Sequence, residues 1–264
     1  SYLSIERLIA AAREAGVEAI HPGYGLLSES AAFAEAVLAA GMAFVGPDPA
    51  TIARMGDKVA AREAAVASGV PVLPGSDGAI RSPEEALASA RTIGFPVVVK
   101  ASFGGGGRGL RVAADGAALG AAIEQAGREA AAAFGRDELF LERYLDRPRH
   151  VEVQILADRH GHVVHLGDRD CSVQRRHQKL LEEAPAPALP DTLRQAMHEA
   201  AVRLCAQVGY AGAGTVEFLV DPERHEFFFL EMNPRLQVEH GLSELLTGID
   251  IVKAQIEVAA GRPL

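Results

Sequence analysis

Tryptophan is absent from this 264-residue sequence, cysteine occurs only twice, and aromatic residues make up 5% of it. Cys171 and Cys205 have neither metal nor redox spacing, so a reducing intracellular compartment is expected: the cytoplasm, or the mitochondrial matrix in a eukaryote. Positive charge is also short, with 26 basic against 35 acidic residues and a net charge of −9. A surface that meets a phosphate backbone should be basic, so no nucleic-acid partner is expected. A nucleotide site is not excluded, because it needs only a few well-placed cations. No apolar run approaches the ~18 residues of a membrane span. The first residues form an amphipathic pattern rather than a signal segment, so no membrane partner is expected either. What is present is 48% apolar residues, enough for a proper core in one large domain or two smaller ones.

The order of elements predicts an α/β protein. A helix over 4–15 ends at Gly16, and a strand Val17–Ile20 runs into His21-Pro22-Gly23-Tyr24-Gly25. A helix near 30–40 and a strand Ala43–Val45 follow, the alternation of an open sheet with parallel strands. Asp57 is placed to cap a helix over 58–68, and the Pro71, Pro74, Gly75 cluster marks a boundary. Ser82-Pro83-Glu84-Glu85 is a helix start with a cap and a first-turn proline. Strands at Pro96–Lys100, Leu110–Ala113 and Leu139–Glu142, with an alanine-rich helix near 116–134, make a small lid-like unit. Long strands near 150–157 and 162–169, a helix near 191–208, a hairpin over 214–232, a polar loop and a helix over 249–260 complete the chain.

Four segments carry chemistry. Lys100 ends a β-branched strand and Gly104–Gly107 follow it; consecutive glycines bring backbone N–H groups close to a phosphate, and the lysine can join them. The lysine precedes the glycines, so this is not a P-loop, and the alternative is a flexible surface linker. In the hairpin, Glu217 and Leu219 share a face, which through the turn Asp221–His225 is expected also to carry Phe227, Phe229, Glu231 and Asn233. Glu217 then lies opposite or diagonal to Glu231. Two carboxylates and an amide oxygen on an apolar face suit magnesium, a hard ion wanting oxygen ligands; the alternative is a solvated face with incidental acids. The loop Asn233–His240 combines Arg235, Gln237 and Glu239, able to hold a small anion and take a proton, or else an ordinary salt-bridged loop. The run Arg169–Lys179 suits anions or the polar edges of a nucleotide, unless it is a solvated charged face. Cys171 within it reads as a small buried residue rather than a nucleophile.

Taken together, EAIHPGYGLLSE, FVGPDPATIARMGDK, KASFGGGGRGL, LERYLDRPRHVEVQILAD, RDCSVQRRHQKLLEEAPAP and EMNPRLQVEH resemble the biotin carboxylase module of biotin-dependent carboxylases, from the first residue to the last. The resemblance implies an ATP-grasp fold: a partial Rossmann-like N-terminal subdomain (1–72), a small mobile lid (73–145) and a larger mixed-sheet catalytic subdomain (146–264). It implies that Lys58, Lys100, Gly106 and Gly107 hold ATP phosphates, that Glu142, Leu145 and Leu219 meet the adenine, and that His150, Gln174 and His177 border the sugar and phosphates. Glu217, Glu231 and Asn233 would hold Mg²⁺ (or Mn²⁺). Lys179, Arg235, Gln237 and Val238 would receive bicarbonate, and Glu239 would deprotonate it. In the family, bicarbonate attacks the γ-phosphate to give carboxyphosphate, which releases CO₂. Phosphate then takes the N1′ proton of biotin, and the enolate captures CO₂. The implied partners are a biotin carboxyl carrier domain, a carboxyltransferase and further copies of the chain.

The chain departs from the family at Phe103, Arg143, Pro234, Gly241 and Ser243, and relative to the family both ends are missing. The final carboxyl acceptor, an acyl-CoA or pyruvate, is left open. So are two other readings: another acyl-phosphate ligase such as half of a carbamoyl-phosphate synthase, and a non-catalytic fragment that keeps the fold.

Overall fold

The computed structural model describes residues 2–80, 82–102, 110–176 and 178–264. The opening unit contains α1 (Ile5–Glu14), β1 (Ala19–Ile20), α2 (Ala31–Ala39) and β2 (Ala43–Phe44). Ser4 and Ser30 cap the two helices by accepting the N–H groups of Arg7 and Phe33. β1 and β2 pair in parallel, Ala19 with Ala43, over a core of Phe33, Val37, Phe44 and Ile52. The first strand is shorter than predicted, because Val17 remains exposed and gains nothing from pairing. Two helices follow: α3 (Pro49–Gly56), which the sequence reading did not foresee, and α4 (Lys58–Ala67). Asp57 caps α4 as expected, accepting the N–H groups of Val59 and Ala60.

The chain then crosses between two sheets. Val72 bridges Phe229 and Gly75 bridges Glu142, while Ser76 N donates to Leu141 O. A Cβ on Gly75 would stand 2.6 Å from Leu141 O, so this approach requires glycine. Next come α5 (Pro83–Ile93), β3 (Val97–Ala101), β4 (Arg111–Ala113), α6 (Gly116–Phe134) and β5 (Leu139–Arg143). Their antiparallel sheet has the order β4-β3-β5 and buries Val97, Val99 and Leu141 against alanines of α5 and α6.

The remaining strands are β6 (Arg149–Ala157), β7 (Val163–Arg175), β8 (Gln178–Glu183), β9 (Gly212–Asp221) and β10 (Glu226–Asn233), with helices α7 (Asp191–Gln207), α8 (His240–Thr247) and α9 (Ile251–Ala259). The sheet order is β10-β9-β6-β7-β8, antiparallel throughout; the parallel Val72 bridge makes it mixed only at its β10 edge. One face carries Val151, Val153, Val216, Phe218, Phe227 and Phe229 against Met197 and Leu204 of α7. Phe218 meets Phe227 edge-on, with centroids 5.3 Å apart. Burying each such side chain contributes about 1.5–3 kcal/mol. This packing fixes the sheet as a stiff platform, and the other face carries the polar groups.

The hairpin corrects one expectation. Phe229 pairs with Phe218, but the next pair is Glu231 with Glu217, so Leu230 is an extra residue in a β-bulge. The bulge switches the side-chain alternation. Phe227 and Phe229 therefore belong to the apolar core and not to the face of Glu217, which holds Leu219, Phe228, Glu231, Thr215 and Asn233.

Candidate active site

The site begins as a row of charge across four strands. Glu231 on β10 pairs with Glu217 on β9, Glu217 with Glu152 on β6, and Glu152 with Arg169 on β7. Opposed residues of an antiparallel ladder hold their Cβ atoms about 4.5–5.5 Å apart, so three carboxylates in a row repel unless cations intervene. They do intervene. Lys58, the first residue of α4, reaches Glu231 at 3.4 Å. Lys179 on β8 reaches over the row: its Nζ donates to Glu152 Oε2 (2.5 Å), Glu217 Oε1 (3.2 Å) and Glu239 Oε1 (2.7 Å), which uses all three ammonium protons. His150, two residues before Glu152 and on the same face, places Nε2 2.8 Å from Glu217 Oε2. Gln174 Nε2 lies 2.8 Å from His150 Nδ1.

The loop after β10 closes over this row. Asn233 Nδ2 and Gln237 Nε2 both donate to Glu217 Oε1, at 2.8 and 3.1 Å. Arg235 turns toward the N-terminal unit, where its Nε donates to Glu29 Oε1 at 2.9 Å, and its Nη2 donates to Asn233 Oδ1. Val238 is exposed. The structure thus gathers Lys58, His150, Gln174, Lys179, Glu217, Glu231, Asn233, Gln237 and Glu239, whereas Arg235 touches this group only through Asn233 and pairs its charge with Glu29.

Protonation follows from these contacts. Burial works against the Glu217 carboxylate, but His150 and Lys179 outweigh it and hold its pKa well below the ordinary value. Burial likewise opposes ionisation of Glu239, and Lys179 reverses the balance, so its pKa is also lowered. Lys179 loses by burial and gains more from Glu217 and Glu152, which raises its pKa. His150 is raised in the same way, Glu217 prevailing over burial. Cys171 is fully buried, and burial, followed by the Glu152 charge, pushes its thiol up; that is an inert side chain, not a nucleophile.

A second group lies on the smaller sheet. Lys100 Nζ donates to Glu142 Oε2 at 2.5 Å, and Arg62 of α4 approaches the other oxygen at 3.9 Å. Leu145 lies half-buried on the connection from β5 to β6, and Leu219 pairs with His150 in the register of β9 and β6. Gly106, Gly107 and His177, with Phe103, lie outside the described residues. Sequence reasoning passed over Glu152 and Glu29, and read Arg169 only as part of a run suited to anions or the polar edges of a nucleotide. The signal for Glu152 was there: His150, Glu152 and Gln154 alternate with Val151, Val153 and Ile155. Such a polar face is usually solvated, whereas here Glu152 and Gln154 are 0% exposed.

The donor set suits a divalent hard cation: Glu217 and Glu231 face one another, and Asn233 adds an amide oxygen on the same face. It also offers lysines for phosphate and a carboxylate kept ionised beside an ammonium. The model of the carbamoyl-phosphate synthase L chain, ATP binding domain, matches residues 57–264, and that of the biotin carboxylase N-terminal domain matches residues 1–52. Pyruvate carboxylase of Aspergillus niger is 54% identical across 100% of this chain and 22% of its own length. Biotin carboxylase of Pseudomonas aeruginosa is 52% identical across 100% of this chain and 59% of its own. The crystal structure of the Campylobacter jejuni biotin carboxylase–β-γ-ATP complex superposes with a TM-score of 0.97 at 48% identity, covering 100% of this chain and 59% of that one. The biotin carboxylase domain dimer of Hydrogenobacter thermophilus 2-oxoglutarate carboxylase, in complex with MgADP, ADP and bicarbonate, gives 0.95 at 48% identity, over 100% of this chain and 58% of that one. The chain thus spans only part of the length of each relative. Residues 57–264 carry the ATP-binding domain and residues 1–52 the family's N-terminal domain, and the chain belongs to the biotin carboxylase family, with its ATP-grasp fold.

Proposed function

We infer that this chain is the ATP-binding catalytic part of a biotin-dependent carboxylase, a ligase that carboxylates carrier-bound biotin from ATP and bicarbonate. The observation that carries the reading is Lys179, whose ammonium joins Glu152, Glu217 and Glu239 at the closed end of a carboxylate row. A cation so placed can exchange one acidic partner for a small anion without leaving the site. Lys179, Arg235, Gln237 and Val238 receive bicarbonate, and Glu239, ionised beside Lys179, takes its proton. The deprotonated oxygen then attacks the γ-phosphorus, giving carboxyphosphate and ADP. Lys58 and Lys100, with Gly106 and Gly107, hold the phosphates. Glu142, Leu145 and Leu219 meet the adenine, and His150, Gln174 and His177 border the sugar and phosphates. Glu217, Glu231 and Asn233 would hold Mg²⁺, which when bound neutralises phosphate charge. The protein's share of the catalysis is positioning and electrostatic stabilisation.

Residues 1–72, 73–145 and 146–264 serve in this reading as N-terminal, lid and catalytic subdomains. The partners are a biotin carboxyl carrier domain, a carboxyltransferase and further copies of the chain. No helix among the described residues is long and apolar enough to cross a membrane. The test is ADP release by the full-length protein containing this chain, with and without bicarbonate and free biotin. Release that requires bicarbonate and rises with biotin is expected. Release indifferent to biotin but dependent on ammonia or glutamine would favour a carbamoyl-phosphate synthase, and none under any condition would favour a non-catalytic role.

A further inference from the structure

Arg169 is itself assigned no contact with substrate, yet it is among the largest side chains buried completely, at 0% exposure. It has five N–H donors and five acceptors. Nε donates to Glu152 Oε1 at 2.7 Å, and Nη1 to Gln154 Oε1 and Ser243 Oγ at 2.8 and 2.7 Å. Nη2 donates to Gln237 Oε1 at 2.8 Å and Thr215 Oγ1 at 3.3 Å. These acceptors come from β6, β9, the loop after β10 and α8. One rigid, planar, permanently charged group therefore ties the floor of the site to its closing loop.

We propose that Arg169 is a positioning residue that sets the bicarbonate end of the site; the assignment rests on the function inferred above. By engaging Glu152 Oε1, Arg169 leaves Oε2 directed at Lys179. By engaging Gln237 Oε1, it turns Gln237 Nε2 toward Glu217. Two of the four bicarbonate groups, Lys179 and Gln237, thus take their places from one guanidinium. The nucleotide groups Lys58, Lys100 and Glu142 make no contact with it. Ser243 is part of the same clamp, since it anchors α8 to Arg169.

The test is Arg169→Lys in the full-length protein. Lysine keeps the charge opposite Glu152 but has three donors and no plane, so at least two acceptors lose their partner. The KM for bicarbonate should rise about tenfold, the effect of losing one hydrogen bond to a charged group. The Kd of Mg-ATP by calorimetry should stay within about twofold. Amide hydrogen exchange over residues 233–242 should accelerate while that of α7 does not. A fall in kcat and Tm with unchanged bicarbonate KM and unchanged loop exchange would make Arg169 merely structural and overturn the proposal. Should Arg169→Lys fail to fold, Ser243→Ala, which removes the α8 acceptor, is read by the same measurements; it should shift KM and loop exchange in the same direction, and no shift overturns the proposal. If the parent shows no bicarbonate-dependent turnover, the functional reading fails, while loop exchange still decides whether Arg169 holds the loop.

Discussion

Replacing Glu239 with glutamine tests the chemistry apart from the fold. The carboxylate accepts one hydrogen bond from Lys179, at 2.7 Å, and glutamine of the same shape can keep that bond through its carbonyl oxygen. Lys179 retains Glu152 and Glu217, so no buried charge is stranded. The folded state should accordingly lose less than about 1 kcal/mol, the range of a single net hydrogen bond. What glutamine cannot do is accept a proton. A positioned general base contributes about 10²–10⁴-fold, equivalent to about 2.7–5.4 kcal/mol of transition-state stabilisation. Bicarbonate-dependent ATP cleavage by the full-length protein should fall by that factor, with Mg-ATP affinity nearly unchanged because Lys58, Lys100 and Glu142 are untouched. The pH profile adds a second reading. Lys179 holds the Glu239 pKa below its ordinary value of 4.5 despite burial, so the base is ionised throughout the neutral range. Its protonation limb should therefore appear only below that value. A variant that turns over at the parental rate, or one that loses nucleotide binding instead, refutes the assignment.

The parts of this fold that follow local rules could be read from the sequence. Asp57 and Ser82 cap their helices because a short acceptor followed by helix formers satisfies the free N–H groups wherever the segment packs. The pairing of Glu217 with Glu231 was also within reach, since a hairpin's turn length limits its register. The bulge at Leu230 was not, because an extra residue leaves no compositional mark; it put Phe227 and Phe229 on the wrong face and left Glu231 on the right one. α8 was read as loop because His240 and Gly241 open it weakly. It is held by tertiary bonds, Ser243 to Arg169 and Glu244 Oε1 accepting from Ile251 N, with Gly248 at φ +74° ending it. β8 was hidden because its Leu180 and Leu181 stay exposed, so the strand buries no face and exists only by pairing with β7. The role of Glu152 and the burial of Arg169 were missed for the opposite reason. Polar alternation along a strand signals solvent unless other elements cover it, and β8, α8 and the loop after β10 do so here. Burial of a charge is a property of the assembled layers, not of the segment that carries it.

Lys100→Ala should weaken Mg-ATP binding in a calorimetric titration, because it removes a cation from the phosphate groups and leaves Glu142 with Arg62 at 3.9 Å as its remaining ion-pair partner among the described residues; unchanged affinity would remove Lys100 from the site. Glu217→Gln and Glu231→Gln should each raise the Mg²⁺ concentration needed for turnover, and together by less than the sum of their separate effects in free energy, since the facing pair would share an ion; strict additivity argues against sharing. The third change is Asp168→Asn, on the opposite side of the sheet from Arg169. The Asp168 carboxylate is 2% exposed and accepts from Ala186 N, Arg194 and His198. Burial alone would raise its pKa, but His198, Arg194 and the Ala186 N–H outweigh it and lower the value. Removing one partner of a buried pair costs about 3–5 kcal/mol, and the partial exposure of Arg194 moves the expectation toward the lower figure. A group with a depressed folded-state pKa stabilises fully above its unfolded value, about 3.9, and loses that contribution as pH falls through the folded-state value. The stability gap between parent and variant, measured by urea unfolding, should therefore be largest near neutrality and narrow below about pH 4. A gap of the same size at pH 7 and pH 3 would mean that Asp168 is held by shape rather than by its charge.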